Sequence, residues 1–299
     1  MKTSVLTLAI LTFAFSAFPC INIVGTKYNG DRTTSGMRGE QRLRYALQRD
    51  PQLDGVKMEA DLRGSTNFTD RSDYSAALMY LGRYRDAVQL LTQLEKEKPG
   101  EYFVAGNLGT AYELCGSNQA ALFWINEEIK RNPDAHEGTE WLHAKILEAK
   151  ISAGKDPGYF KKHSVLNLQP DKIGGNISVG DFSMEPYELA DAIEHQLAER
   201  MQFVKPPDAP VASLLFDYAA IEAGTRTLES ARGVLKMAVE YGYPPDQVEP
   251  LMKLYDQRIA WRKAKENAVY ITGGIILLAL LYLLYKRGIF VLSSKDLKR

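Results

Sequence analysis

The sequence predicts an all-α protein: helical hairpins stacked side by side as a solenoid, interrupted by an irregular insertion and closed by a single membrane-spanning helix. Three observations carry that expectation. Gly82, Ala87 and Pro99 return as Gly116, Ala121 and Pro133, each 34 residues later, and self-similarity at that period marks stacked helix-turn-helix units. Apolar residues on both sides of each glycine recur at three- and four-residue spacings, as in helices with one buried stripe. Near the carboxy end, residues 268–285 form an 18-residue run without a charge, followed at once by Lys286 and Arg287.

Composition narrows the class further. The 299 residues are 45% hydrophobic and 25% charged, which excludes disordered and collagen-like chains. Lys+Arg and Asp+Glu both number 37, so no global field steers the chain to nucleic acid, and none is expected as a partner. Cys20 and Cys115 alone give no disulfide framework and too few thiols for a zinc site. Cys115 is expected as a small buried residue at a helix end, and a bridge to Cys20 requires that Cys20 survive processing.

Taken in chain order, residues 1–19 have the layout of a secretory signal: Lys2, an apolar run over 5–18, then Pro19, with Ala14 and Ser16 spaced for cleavage. Retention of this segment, or lipidation at Cys20, are the alternatives. Residues 20–66 are glycine-rich and read as an irregular lead-in, with one short helix over 37–48 that presents Leu43 and Leu47 and ends at Asp50 and Pro51. The repeats occupy 67–154. In the first, Tyr74, Ala77, Leu78 and Leu81 pair with Ala87, Leu90, Leu91 and Leu94 as one buried stripe.

The second repeat carries a family resemblance. In "NLGTAYELCG", Leu108, Gly109 and Tyr112 stand where tetratricopeptide repeats have their large, small and aromatic packing residues, and "ALFWINEEIKRNP" resembles the second helix and terminal proline. Glu128 departs from the pattern, standing where the family has a small residue, so this side either opens to solvent or meets something unusual. A third first-helix follows over 137–154. Its partner is replaced by an insertion at 155–185, rich in Gly, Pro, Asn and Asp, in which residues 177–179 permit a small hairpin.

Helical order resumes over 186–266. Leu189, Ile193, Leu197 and Met201 share one face, and Tyr218, Ala219, Ala231, Leu235 and Ala238 resemble the repeat's packing set, though 231−121 is 110 and not a multiple of 34. A charged capping helix over 246–266 is expected to pack through Leu251, Leu254, Tyr255, Ile259 and Trp261. It leads almost directly into the span assigned to 267–287, ahead of a basic tail at 288–299. The uncharged run is roughly 27 Å long, close to a bilayer's hydrocarbon core, with Tyr270, Tyr282 and Tyr285 towards its ends. Asn267, Gly273 and Gly274 are the only candidate hinges, so a stiff stalk is expected. Both ends together place the body on the periplasmic or lumenal side, most simply of a bacterial inner membrane.

The resemblance implies function through its groove. In the family the ligand lies against the first helix of each repeat, which maps partner-contacting positions onto Met79 and Tyr80, onto Phe103, Asn107, Thr110, Glu113 and Leu114, and onto Glu140 and Leu147 in the following helix. The Lys and Arg set that clamps a peptide carboxyl terminus is absent, so the expected occupant is a protein or peptide segment with apolar anchors and some Lys or Arg. Packing against the protein's own insertion or lead-in is the alternative. The expected activity is that of a non-enzymatic scaffold or adaptor, or of a permanent subunit of a membrane complex. No cofactor is expected. "HEGTEWLH" puts His136, Glu140 and His143 on one helical face if the helix starts that early, which could in principle hold a metal, but the zinc-protease spacing of four is not met by seven, so no metal is expected and the histidines are assigned surface or capping roles. "GGNISVG" lacks the ending of a phosphate loop.

Overall fold

A computed structural model describes residues 23–35, 38–168, 177–179 and 182–287. The expected signal, Cys20 and the basic tail lie outside these residues. The chain is mostly helical, with two small hairpins. Strands β1 (Ile23–Thr26) and β2 (Arg32–Ser35) pair antiparallel, Val24 opposite Thr34. Helices α1 (Glu40–Ala46) and α2 (Pro51–Leu62) follow. The described part of the lead-in therefore carries a hairpin and two helices, and Asp50 and Pro51 start a helix where they were expected to end one. The Asp50 carboxylate accepts from the amides of Gln52 and Leu53, and Pro51 sits at the first helical position, where its missing N–H costs nothing.

Next come α3 (Phe68–Tyr80), α4 (Tyr84–Glu97), α5 (Tyr102–Leu114) and α6 (Asn118–Arg131). The bounds of α3 and α5, and of α4 and α6, differ by 34 residues at both ends. The turns inside each pair are closed by Gly82 and Gly116, at φ 74° and 80°, a left-handed conformation that side chains with a Cβ resist. Leu91, Leu94 and Leu108 are fully buried between these helices, each contributing about 1.5–3 kcal/mol over exposure. Helix α2 docks on α3 through Gly55, whose missing Cβ would stand 2.9 Å from that of Tyr80.

A short 3-10 turn (Ala135–Gly138) precedes α7 (Glu140–Lys155), so the third first-helix starts later than expected and excludes His136. The insertion holds α8 (Tyr159–Lys162) and the hairpin β3 (Ile177–Val179) with β4 (Phe182–Met184). Its Val165 and Leu166 are buried in the largest core. Asp217 fixes that stretch, accepting from Ser164 Oγ at 2.8 Å and the Leu166 amide at 3.1 Å. Helices α9 (Pro186–Phe203), α10 (Ala209–Thr225) and α11 (Leu228–Glu240) complete this core with α7 and Leu43 of α1.

The last helix, α12 (Pro245–Lys286), runs 42 residues without a break. The capping helix and the apolar run are thus one element, and Asn267, Gly273 and Gly274 introduce no hinge. Val248, Tyr255 and Ile259 are buried against the body, whereas Trp261 is 56% exposed and covers Gly30 of the first hairpin instead of packing on the last repeat. Beyond residue 268 the apolar side chains are all exposed, and the stretch is long and apolar enough to cross a membrane. The lead-in returns to this end of the chain. Thr26 donates through its amide and hydroxyl to Glu229, both at 2.7 Å, and Arg262 Nε donates to Thr26 Oγ1 at 2.7 Å. Cys115 is exposed, contrary to expectation, because it is the last cap residue of α5.

Candidate functional site

Helices α5 and α7, both packed on α6, each turn one face to a single cavity. From α5, Gly106, Asn107, Thr110, Glu113 and Leu114 line it at three- and four-residue intervals. Helix α6 adds Glu128, the 3-10 turn adds His136, and α7 adds Glu140, His143 and Lys150. The fourth wall is α9, with Gln196, Glu199, Arg200 and Phe203. The cavity measures about 370 Å³.

Of the residues read from sequence, Asn107, Thr110, Glu113, Leu114 and Glu140 are brought together in this cavity. Met79 and Leu147 are not available to a partner: both point into helix-helix cores, 4% and 0% exposed. Phe103 packs edge-on against Phe68, at 6.2 Å between centroids, and Tyr80 stacks on Phe203 at 5.0 Å. That end of the groove is therefore occupied by the protein itself, Tyr80 meeting Phe203 of α9 on one side and Gly55 of the lead-in on the other.

Electrostatics divide the cavity in two. At one end Glu113 accepts two hydrogen bonds from Arg200, at 2.5 and 2.9 Å, and one from Lys150 Nζ at 2.7 Å, while His143 Nε2 lies 2.7 Å away. Burial pushes the Glu113 carboxyl up, but Arg200 and His143 outweigh it and hold it well below the usual range. His143 is buried with its other nitrogen 3.1 Å from Glu140 Oε2, and the two carboxylates overcome the burial that would lower it, raising it to about 9. The expectation of surface or capping histidines fails here, because α9 and α5 close over the ring. An imidazole held as a cation between two carboxylates is a structural strut and a poor general base.

At the other end Glu128 is fully buried, and neither of its oxygens has a hydrogen-bond partner. His136 Nε2 stands 3.7 Å from Oε1, beyond hydrogen-bonding reach. Burial, and then the nearby charge of Glu140, push the Glu128 carboxyl up to about 8. Its place is made by Gly106, where a Cβ would fall 2.3 Å from both carboxylate oxygens. The departure from the repeat pattern at Glu128 was visible in the sequence, but it faces this cavity and not solvent. His136 reaches the cavity only because its backbone adopts φ 50°, ψ 46°, an uncommon conformation for a side chain with a Cβ. The Glu199 carboxylate, 3.6 Å from its Nδ1, raises His136 to about 9, and Glu199 in turn falls to about 2, because His136 and His195 outweigh its burial. Glu140 is steadied by Gln196 Nε2, which donates to Oε1 at 3.2 Å.

Comparison with protein-family models, with curated proteins and with solved structures finds no match for the chain.

Proposed function

We propose that the chain is a membrane-tethered, non-enzymatic binding module of tetratricopeptide type, with its repeats on the exported side and its partner held in the cavity between α5, α7 and α9. The observation that carries this reading is the cavity's incomplete interior: a built recess on the inner helix faces, with a buried carboxylate left unmet. A folded chain leaves such a group bare at a cost of a few kcal/mol, which functional sites accept and scaffolding cores do not. The tight closure at the Tyr80 to Phe203 end leaves space for a side chain or short segment and not for a long peptide lying along the groove. The unbroken α12 supports a fixed stand-off between this cavity and the bilayer. The exported orientation rests on the amino-terminal apolar segment followed by a single carboxy-terminal span.

Site-specific photo-crosslinking in intact membranes tests this. A crosslinker at Asn107 or Thr110 is expected to give one discrete adduct, while the same group at Lys130, on the outer face of α6, gives none. Equal labelling at all three positions contradicts the reading. An adduct that persists through high salt and copurifies in fixed ratio assigns the chain to a permanent complex.

A further inference from the structure

The buried, unmet carboxylate of Glu128 is one of three potential metal-ligating groups that converge in this cavity. Glu128, His136 and Glu140 each present a ligand atom, and these atoms all lie within 4.8 Å of one another. Ligand atoms about 2.0–2.2 Å from a metal lie roughly 3–4 Å apart, so one ion of the first transition row sits among them once the side chains close by a fraction of an ångström. We propose that Glu128, His136 and Glu140 form a binding site for a divalent transition-metal ion, with zinc as the best fit to one imidazole and two carboxylates.

Four features of the molecule favour an ion over a chance cluster. Neither Glu128 oxygen has a hydrogen-bond partner among the described residues while the side chain is fully buried, which leaves both oxygens free to take a further group. Three carboxylates, Glu128, Glu140 and Glu199, face the imidazoles of His136, His143 and His195 at this end and no lysine or arginine, because Arg200 and Lys150 are spent on Glu113. Glu140 is oriented from behind by Gln196 and His143, as ligating carboxylates commonly are. The ligands come from α6, the 3-10 turn and α7, so an ion would tie together the place where the 34-residue spacing is broken. Three protein ligands leave at least one coordination position, and it opens to the cavity that Asn107 and Thr110 line. The inference goes beyond the binding reading above and stands apart from it, because metal uptake is measurable with no partner present.

A second trio, His136, His195 and Glu199, shares His136 but lacks a bare buried carboxylate. The experiment separates the two. Full-length protein in detergent, stripped with chelator, is titrated with Zn²⁺ by calorimetry and with Co²⁺ by visible absorption. One ion per chain is expected, with the Co²⁺ bands of a nitrogen- and oxygen-ligated site. Glu128→Gln, which keeps the side chain's shape, is expected to weaken Zn²⁺ at least roughly 100-fold. His136→Ala should do the same, while His195→Ala changes affinity by less than about 10-fold. Circular dichroism of each variant must match the parent. No saturable uptake by the parent, unchanged affinity in Glu128→Gln, or loss with His195→Ala alone would each overturn the assignment, the first by showing that Glu128 and Glu140 merely share a proton.

Discussion

Two clusters of buried acids, built from similar residues, differ in one respect that separates support from function. Around Glu194 and Glu222 every carboxylate is met. Glu194 accepts from the Gly39 amide at 2.5 Å and Tyr218 Oη at 2.6 Å and pairs with Arg42 at 3.0 Å, while Glu222 is held by Arg226 and accepts from Ser230 Oγ at 2.5 Å. That cluster joins α1 to α9, α10 and α11, and its one oxygen without a hydrogen bond, Glu194 Oε1, is paired with Arg42 at 3.0 Å and Arg38 at 3.5 Å. In the cavity, Glu113 is met four times over, whereas Glu128 accepts no hydrogen bond among the described residues and has a cation no nearer than His136, at 3.7 Å. The lesson is that burial of charge alone does not mark a site; burial with the partner missing does.

The sharpest break in this comparison is Arg226→Met. Removing the guanidinium leaves Glu222 and Glu194 short of compensation, an expected loss of about 3–5 kcal/mol. That corresponds to a Tm fall of roughly 10 °C, read by circular dichroism in detergent.

Asp217 offers a third kind of buried acid, met by neutral donors only. Burial raises it to about 7, despite the amide of Leu166 and the hydroxyl of Ser164. Because the folded state then holds a proton that the unfolded chain has released, the stability it contributes is complete below about pH 4 and is lost as pH rises through 7. The full swing is at most about 4 kcal/mol. Asp217→Asn is expected to remove this part of the pH dependence, so the Tm difference between variant and parent should grow from pH 4 to pH 8; a constant difference contradicts it.

Smaller effects come from the cavity. Gly106→Ala adds a Cβ that collides with the Glu128 carboxylate, which offsets the gain of about 1 kcal/mol that alanine brings to a helix interior. In a Glu128→Ala background the same change should recover that gain, a coupling of about 1–2 kcal/mol in a double-mutant cycle. Glu128→Gln alone is expected to be neutral or to raise stability by up to about 1 kcal/mol, since burial and Glu140 already hold this carboxyl in its neutral form near pH 7 and the amide keeps its shape. A loss of 3 kcal/mol or more would place Glu128 with the structural acids.

Legibility in the sequence followed the range of the contacts. Helices α3 to α6 were readable because each is specified by neighbours three and four residues away and by a repeat close at hand. The lead-in was not, because its partners lie far along the chain: Thr26 meets Glu229 and Arg262, at separations of 203 and 236 residues. Asp50 and Pro51 carry one signal that both stops and starts helices, and only the docking of α2 on α3 decides between them. At the site, the inner face of α5 followed from register alone. His143 was misjudged because a wall from α9 covers it, and His136, exposed as expected, reaches the cavity through a left-handed turn; neither has a local sequence mark. Glu128 was conspicuous, yet its meaning depended on Gly106 one helix earlier.

The central claim is that the bare carboxylate in the cavity awaits a cation. Diffraction data collected at the zinc absorption edge, from full-length protein crystallised with Zn²⁺, test it most directly. The account predicts one anomalous peak per chain within coordination distance of Glu128, His136 and Glu140; the absence of a peak there, with Glu128 and Glu140 drawn into direct hydrogen-bonding contact, would contradict it.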